Sequence, residues 1–224
     1  MKKKQKEIFL EEEGNAWFER NHLKIQNRRM DLQDPIINAL TNLLDNKDNK
    51  NLQFLEVGCG DGKRLHWITD NLKLNCYGIE PSEKAIEFAN NKEVKVIKGT
   101  ADILNFEDKK FDFVAFGSCL YLCDRSDLFQ IAKETDRVLK NSGYIIIHDF
   151  YSATPFVREY HHYPGVFSYK MDYRKLFDWH PDYKCVSHNL VSESHKVINE
   201  NENWIKEDRN NCYAISVLKK TLNE

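Results

Sequence analysis

The chain has 224 residues, room for one domain with at most an appendage, and its 41% hydrophobic and 30% charged residues exclude wholesale disorder. A formal net charge of −2 gives no broad basic surface for nucleic acid, and no apolar run approaches the ~20 residues of a membrane helix. Acids interrupt the charged start MKKKQKEIFLEEEG before a signal peptide could form, and the six Cys are scattered without CxxC spacing, so they read as reduced thiols of a cytoplasmic protein with no disulfide frame and no metal site.

In chain order, the lysine run at 2–6 reads as a frayed tail. Residues 34–44 read as a helix: Asp34 can cap it, Pro35 suits its first turn, and Ile36, Ile37, Leu40, Leu43 and Leu44 form one apolar stripe. The polar stretch 45–51 is a loop that closes an N-terminal helical region, 1–50. From 51 to 150 strands and helices alternate, with strand patterns at 52–57, 75–80, 94–98, 111–117 and 144–150. Helical patterns fill 63–72, a segment starting at 82, and 127–140, where Gly143 supplies the stop. That rhythm predicts an α/β fold: a doubly wound, Rossmann-like, mostly parallel sheet with helices on both faces. Residues 151–183 hold ten aromatic side chains and read as an insert on the substrate side of the same domain. Two further strand patterns, 184–191 and 212–218, predict a C-terminal antiparallel pair within 184–224.

The strongest local signal is FLEVGCGDG at 54–62, in which a strand runs into three alternate glycines and a helix opens directly after. Glycines there let the backbone turn sharply and approach a ligand closely. Twenty residues past Gly60, at the end of the next strand, Glu80 can accept hydrogen bonds from both ribose hydroxyls of a nucleoside. A dinucleotide fingerprint needs a third glycine where this chain has Lys63, and Asp61 puts a negative charge where a pyrophosphate would sit. An adenosyl sulfonium, which has no phosphate, tolerates that acid.

LEVGCGDG (55–62), GIEPS (78–82), GTADILNF (99–106), FDFVAFGSCLYL (111–122) and RVLKNSGYIIIHDF (137–150) resemble, in order, the successive motifs of class I S-adenosylmethionine-dependent methyltransferases. The resemblance covers roughly 52–150. EGNAWFERNH (13–22) and FGSCLYLCDRSDLF (116–129) are similar to a narrower branch found in bacterial surface-polysaccharide gene clusters. What the resemblance implies is S-adenosylmethionine as cofactor and S-adenosylhomocysteine as product. Glu56, Gly58, Cys59 and Gly60 would line its methionine part, and Glu80 would hold the ribose. Ile79 and Pro81 would lie beside the adenine, Ala101 and Asp102 would sit at its edge, and Phe116, Gly117 and Ser118 would border the methyl group. Asn141-Ser142 replaces a common Pro-Gly, and the fourth-strand motif lacks the Asn/Asp-Pro-Pro-Tyr that marks methylation of planar amino nitrogens.

Methyl transfer chiefly needs an electron-rich atom held in line with the sulfur, and a hydroxyl acceptor also benefits from a base. His161, His162 and the strand-end His148 are the candidate bases; each imidazole can equally be a structural hydrogen bonder. Trp17, Phe18, Arg20 and Asn21 read as a lid or as a helix packed on the sheet, while Tyr160, Tyr163 and Lys170 are candidate acceptor contacts, as is Arg174. Cys119 and Cys123 read as packing residues. The expected partner is a small molecule, a sugar nucleotide or another capsule precursor, methylated at oxygen first and at an amine second; neither nucleic acid nor membrane is expected. Two alternatives stay open: an NAD(P)-dependent oxidoreductase, and a protein that binds the cofactor without turnover.

Overall fold

The computed structural model describes residues 3–27, 29–44, 49–90, 94–191, 197–198 and 212–221. Five strands, β1 (Gln53–Val57), β2 (Asn75–Glu80), β3 (Lys95–Lys98), β4 (Phe111–Gly117) and β5 (Leu139–Phe150), pair in parallel in the order β3-β2-β1-β4-β5. Beyond β5 the sheet turns antiparallel through β10 (Tyr213–Lys220), β8 (Tyr183–Val191) and the two-residue β9 (Val197–Ile198). The Rossmann-like parallel sheet with its C-terminal antiparallel strands is therefore present.

Alternate strand residues go to opposite faces, and both faces are covered. Leu55, Val114, Phe116, Ile145 and Ile147 join one apolar cluster, and their neighbours Phe54, Phe113, Ala115 and Ile146 join another. On the second face pack Ile36, Ile37 and Leu40 of helix α3 (Pro35–Leu43), Leu65 and Ile68 of α4 (Lys63–Leu72), and Ala89 of α5 (Glu83–Asn90). On the first lie Ile131 and Val138 of α6 (Leu128–Val138). The Asp34 cap forms as its chemistry dictates, its Oδ1 accepting from the backbone of Ile36 and Ile37 at 3.0 and 3.1 Å.

Three expectations are corrected. The helix expected to reach 140 ends at Val138, and Leu139 already pairs with Phe111 as the first residue of β5. Gly143 lies inside that strand, beside Ser142 at φ +65°, where a Cβ would meet Leu139 Cδ1 at 2.8 Å and the Lys140 carbonyl at 2.9 Å. It relieves a crowded bend and does not end a helix. The aromatic insert carries a hairpin of β6 (Phe156–Glu159) and β7 (Phe167–Lys170) and a 3-10 turn at Tyr173–Leu176.

The third correction concerns the N-terminal run. Lys2 lies outside the described residues, but Gln5–Ile8 form helix α1, followed by a π-helical turn (Phe9–Glu13) and α2 (Gly14–Asn27). Gln5 is buried: its side-chain amide donates to the Leu122 and Phe167 carbonyls and its carbonyl oxygen accepts from Phe167 N. One glutamine thus ties the segment both to the loop after β4 and to β7. Much of the loop expected at 45–51 and of the 192–211 connection lies outside the described residues. No helix among the described residues is long and apolar enough to cross a membrane, and all six cysteines are free thiols.

Candidate active site

In an open α/β sheet a ligand site forms beyond the carboxyl ends of the strands, where the strand order reverses. Here β1 is flanked by β2 and β4, and Val57, Glu80 and Gly117 end those strands around a cavity of about 220 Å³. Eleven of the twelve residues expected to hold the cofactor line it: Glu56, Gly58, Cys59, Gly60, Ile79, Glu80, Pro81, Ala101, Asp102, Gly117 and Ser118. Phe116 does not, because the β alternation that exposes Gly117 turns Phe116 into the core, fully buried.

The glycine loop is built to admit a ligand at one residue. Gly58 and Gly60 both have positive φ, +73° and +56°. A Cβ on Gly58 would strike Cys119 Cβ at 2.6 Å, whereas one on Gly60 would meet no heavy atom within 4 Å. Gly58 is close-packed against the loop after β4, and Gly60 fronts open cavity space. Glu80 receives the Gly60 amide on Oε2 at 2.8 Å and the Ser82 amide on Oε1 at 3.0 Å, so each oxygen keeps a lone-pair site for a further donor. Burial pushes this carboxyl up to about 7 against those two amide bonds. An open glycine backbone beside a buried carboxylate with acceptor capacity fits an adenosyl group and its ribose diol.

Several contributors escaped the sequence reading. Arg64 lies half-buried beside Glu56 in the cavity lining, bonded to it through Nη1, while Nε and Nη2 grip Asp34 at 3.0 Å each. Lys63 Nζ donates to the Gln26 carbonyl at 2.7 Å. The available signal was GKR at the start of α4: two cations where the helix dipole disfavours them, a pattern that calls for compensating partners. Asp102, expected at the adenine edge, accepts from Thr100 Oγ1 on Oδ1 at 2.7 Å and from Lys6 Nζ on Oδ2. Lys4 and Lys6 also reach Asp127, at 2.5 and 3.2 Å, and Gln5 N donates to Asp124 at 2.8 Å.

Phe9, Gly14 and Trp17 complete the roof. Gly14 is the only residue type that fits, since a Cβ would meet the Phe9 carbonyl at 2.4 Å across the π turn. Phe18 instead anchors α2, its ring against Phe88, and Asn21 donates to the Trp17 carbonyl. Arg20 ion-pairs with the buried Glu13, which also accepts from Tyr160 Oη at 3.1 Å; Tyr163 donates to Glu12. Tyr160 and Tyr163 therefore clamp the roof to the β6–β7 hairpin from outside the cavity lining.

The candidate bases are elsewhere. His161 and His162 are exposed on the hairpin turn with ring centroids 3.8 Å apart, and desolvation, Arg20 and His161 hold the His162 imidazole below its ordinary value. His148 is buried in β5, its ring stacked on Tyr213. None of the three lines the cavity. Lys170 is buried with Nζ 3.8 Å from the centroid of Phe150, and Arg174 pairs with Asp172. Cys119 and Cys123 do line the cavity, but burial raises both thiols far above the range of a reactive thiolate. Asp149, next to His148, is a positioning group: its carboxylate accepts from Leu120 N at 2.8 Å and Phe150 N at 2.7 Å, fixing the loop after β4, and burial pushes it up to about 7.

Residues 55–147 match the family model described as a methyltransferase domain. The sterol 4-C-methyltransferase of Caenorhabditis elegans is 29% identical over 154 residues, 65% of this chain and 42% of that protein. The fatty-acid O-methyltransferase of Mycolicibacterium smegmatis is 30% identical over 107 residues, 46% of this chain and 38% of that protein. The matches thus span about two fifths of the length of these curated relatives. Among solved structures, a 1,6-didemethyltoxoflavin N1-methyltransferase of Burkholderia thailandensis, bound to its acceptor and S-adenosylhomocysteine, superposes with a TM-score of 0.70. It covers 99% of this chain and 92% of its own at 11% identity, so the likeness is one of fold. Residues 55–147 carry the sequence pattern of a methyltransferase domain, on a fold that it shares with solved S-adenosylmethionine-dependent methyltransferases.

Proposed function

We propose that the protein transfers a methyl group from S-adenosylmethionine to a small, largely apolar acceptor held under the N-terminal roof. The observation that carries this reading is the pairing of Gly60, open to the cavity, with Glu80, whose two oxygens each retain acceptor capacity. Phe9, Trp17 and Leu122 supply apolar roof and wall beside it. The oxidoreductase alternative fares worse on the same loop, because the buried Asp61 sits where a pyrophosphate would need donors. A sugar-nucleotide acceptor meets the same objection. Its pyrophosphate would need cations, and Lys6, Lys63 and Arg64 are already engaged by Asp102 and Asp127, by backbone carbonyls, and by Asp34 and Glu56.

Calorimetric titration with S-adenosylmethionine, S-adenosylhomocysteine and NADH tests the reading. Micromolar binding of the adenosyl pair, silence with NADH and loss of the adenosyl signal in Glu80→Ala are expected. Binding of NADH alone would overturn it.

A further inference from the structure

We infer that Arg64 binds the carboxylate at the amino-acid end of the cofactor. The inference rests on the methyltransferase reading of the cavity and deepens it, because the sequence motifs give that end of the ligand no cation.

The order of the strands gives the site a direction. Asp102 follows β3, Glu80 ends β2, Val57 ends β1 and Gly117 ends β4, and these strands are neighbours in the order β3-β2-β1-β4. With the adenosine proposed over Asp102 and Glu80, the rest of the cofactor continues across β1 toward β4. Arg64 stands at that far end: a Cβ on Gly117 would meet its Nη1 at 3.0 Å and Glu56 Oε1 at 2.8 Å, and all three residues line the cavity.

Arg64 is also the cavity-facing member of an ion triad. Its side chain keeps 10% of its surface exposed, against 1% for Asp34 and 1% for Glu56. Nε and Nη2 reach Asp34 at 3.0 Å each and Nη1 reaches Glu56. A guanidinium carries its five N–H donors in one rigid plane, so each Nη nitrogen keeps an N–H beyond those bonds. The two acids fix that plane before a ligand arrives, which lowers the ordering cost of a carboxylate placed on it. The other cations among the described lining residues are Lys6 and Lys63. Lys6 is bonded to Asp102 and Asp127 at the adenosine end, and Lys63 Nζ turns to the Gln26 carbonyl at 2.7 Å.

Charge balance explains how one arginine can serve an amino acid and not a pyrophosphate. Two carboxylates on one guanidinium leave the triad one negative charge in surplus. A pyrophosphate adds negative charge and brings nothing to offset it. An amino-acid end brings its own ammonium with its carboxylate, so it adds no net charge to a partly buried site.

Calorimetry on the full chain tests the inference with S-adenosylhomocysteine, its decarboxylated analogue, which keeps the ammonium, and 5′-methylthioadenosine, which lacks both groups. Wild type is expected to bind S-adenosylhomocysteine roughly 10- to 150-fold more tightly than the decarboxylated analogue, the worth of a hydrogen bond to a charged group. In Arg64→Gln the ratio is expected to fall to about threefold or less, with 5′-methylthioadenosine bound as in wild type. Should Arg64→Gln not fold, Arg64→Lys keeps a cation for the two acids but loses the fork, and it is expected to shrink the ratio as well. An unchanged ratio with all three ligands weakened together makes Arg64 a structural support only and overturns the inference. So does a wild type that binds the decarboxylated analogue as tightly as S-adenosylhomocysteine. The 5′-methylthioadenosine titration separates the two failures: if it binds, only the Arg64 assignment is wrong; if no adenosine ligand binds, the methyltransferase reading falls first.

Discussion

Replacing Glu80 by Gln should weaken S-adenosylhomocysteine binding by roughly 10- to 150-fold and abolish its pH dependence. Each Glu80 oxygen already accepts one backbone amide, from Gly60 or Ser82, and keeps capacity for the ribose diol that the proposed reading places there. Gln keeps one acceptor and turns the other into a donor, which then faces an amide N–H. One charge-assisted bond is lost outright, about 1.5–3 kcal/mol, which sets the range given. The sign of the pH effect follows from burial, which holds the free carboxyl up to about 7. Ribose hydroxyls donate to the ionised form and favour it, so the bound group titrates lower than the free one. Binding near pH 6.5 therefore releases protons, and affinity climbs as pH rises toward about 7, approaching tenfold per unit well below that value. Calorimetry at pH 6.5 in buffers of different ionisation enthalpy measures the release directly. Proton uptake, or an affinity equally flat in wild type and Glu80→Gln, would refute the assignment of Glu80 to the ribose.

Four further outcomes follow from the geometry. Glu80 and Asp149 both have folded values of about 7, above those of an unfolded carboxyl, so their contribution is full in acid and lost as pH rises through about 7; the ligand-free protein should melt lower at pH 8 than at pH 5.5, with a shallower slope in Asp149→Asn. Gly60→Ala should leave the melting temperature nearly intact, costing on the order of 1 kcal/mol for its φ, yet lose cofactor binding in a titration, whereas Gly58→Ala should cost more than about 2 kcal/mol of stability because its Cβ meets Cys119 at 2.6 Å. Gln5→Ala, which removes three buried hydrogen bonds worth about 1 kcal/mol each, should expose the N-terminal 27 residues to limited proteolysis and speed cofactor dissociation in stopped flow. Changing His161 and His162 together to Ala should leave turnover at saturating substrate unchanged; a hundredfold loss would restore the imidazole-base expectation.

Parallel-sheet topology was legible because its signals are local. Runs such as FDFVAFG alternate between the two apolar faces, and the loop at 58–62 announces itself by glycines whose φ values only glycine adopts at low cost. Phe116 falls outside the cavity lining for the same reason that the strand was found: a period of two puts the residue before Gly117 in the core. The base was sought in the His pair because imidazoles in an aromatic segment look chemical in sequence, while the Tyr160–Glu13 bond that turns this hairpin outward joins residues 147 positions apart. The lysine run was misread on composition, since charge at a terminus suggests fraying until the acids that receive it are known.

Those receiving acids connect the roof to the site. Asp102 follows β3 and Asp127 ends the 3-10 turn ahead of α6; Lys6 reaches both and Lys4 reaches Asp127, while Gln5, between them, is fixed to Leu122 and Phe167. The carboxylate expected at the adenine edge is thus also where the N-terminal segment is held down. Lys4 and Lys6 pair with two of the six lining acids, so Asp102 serves the roof as well as the place expected for the adenine edge. A lysine-rich segment that looked expendable in sequence pairs with two of the acids that line the cavity, and for that reason residues 4–6 belong with the glycine loop in the proposed site.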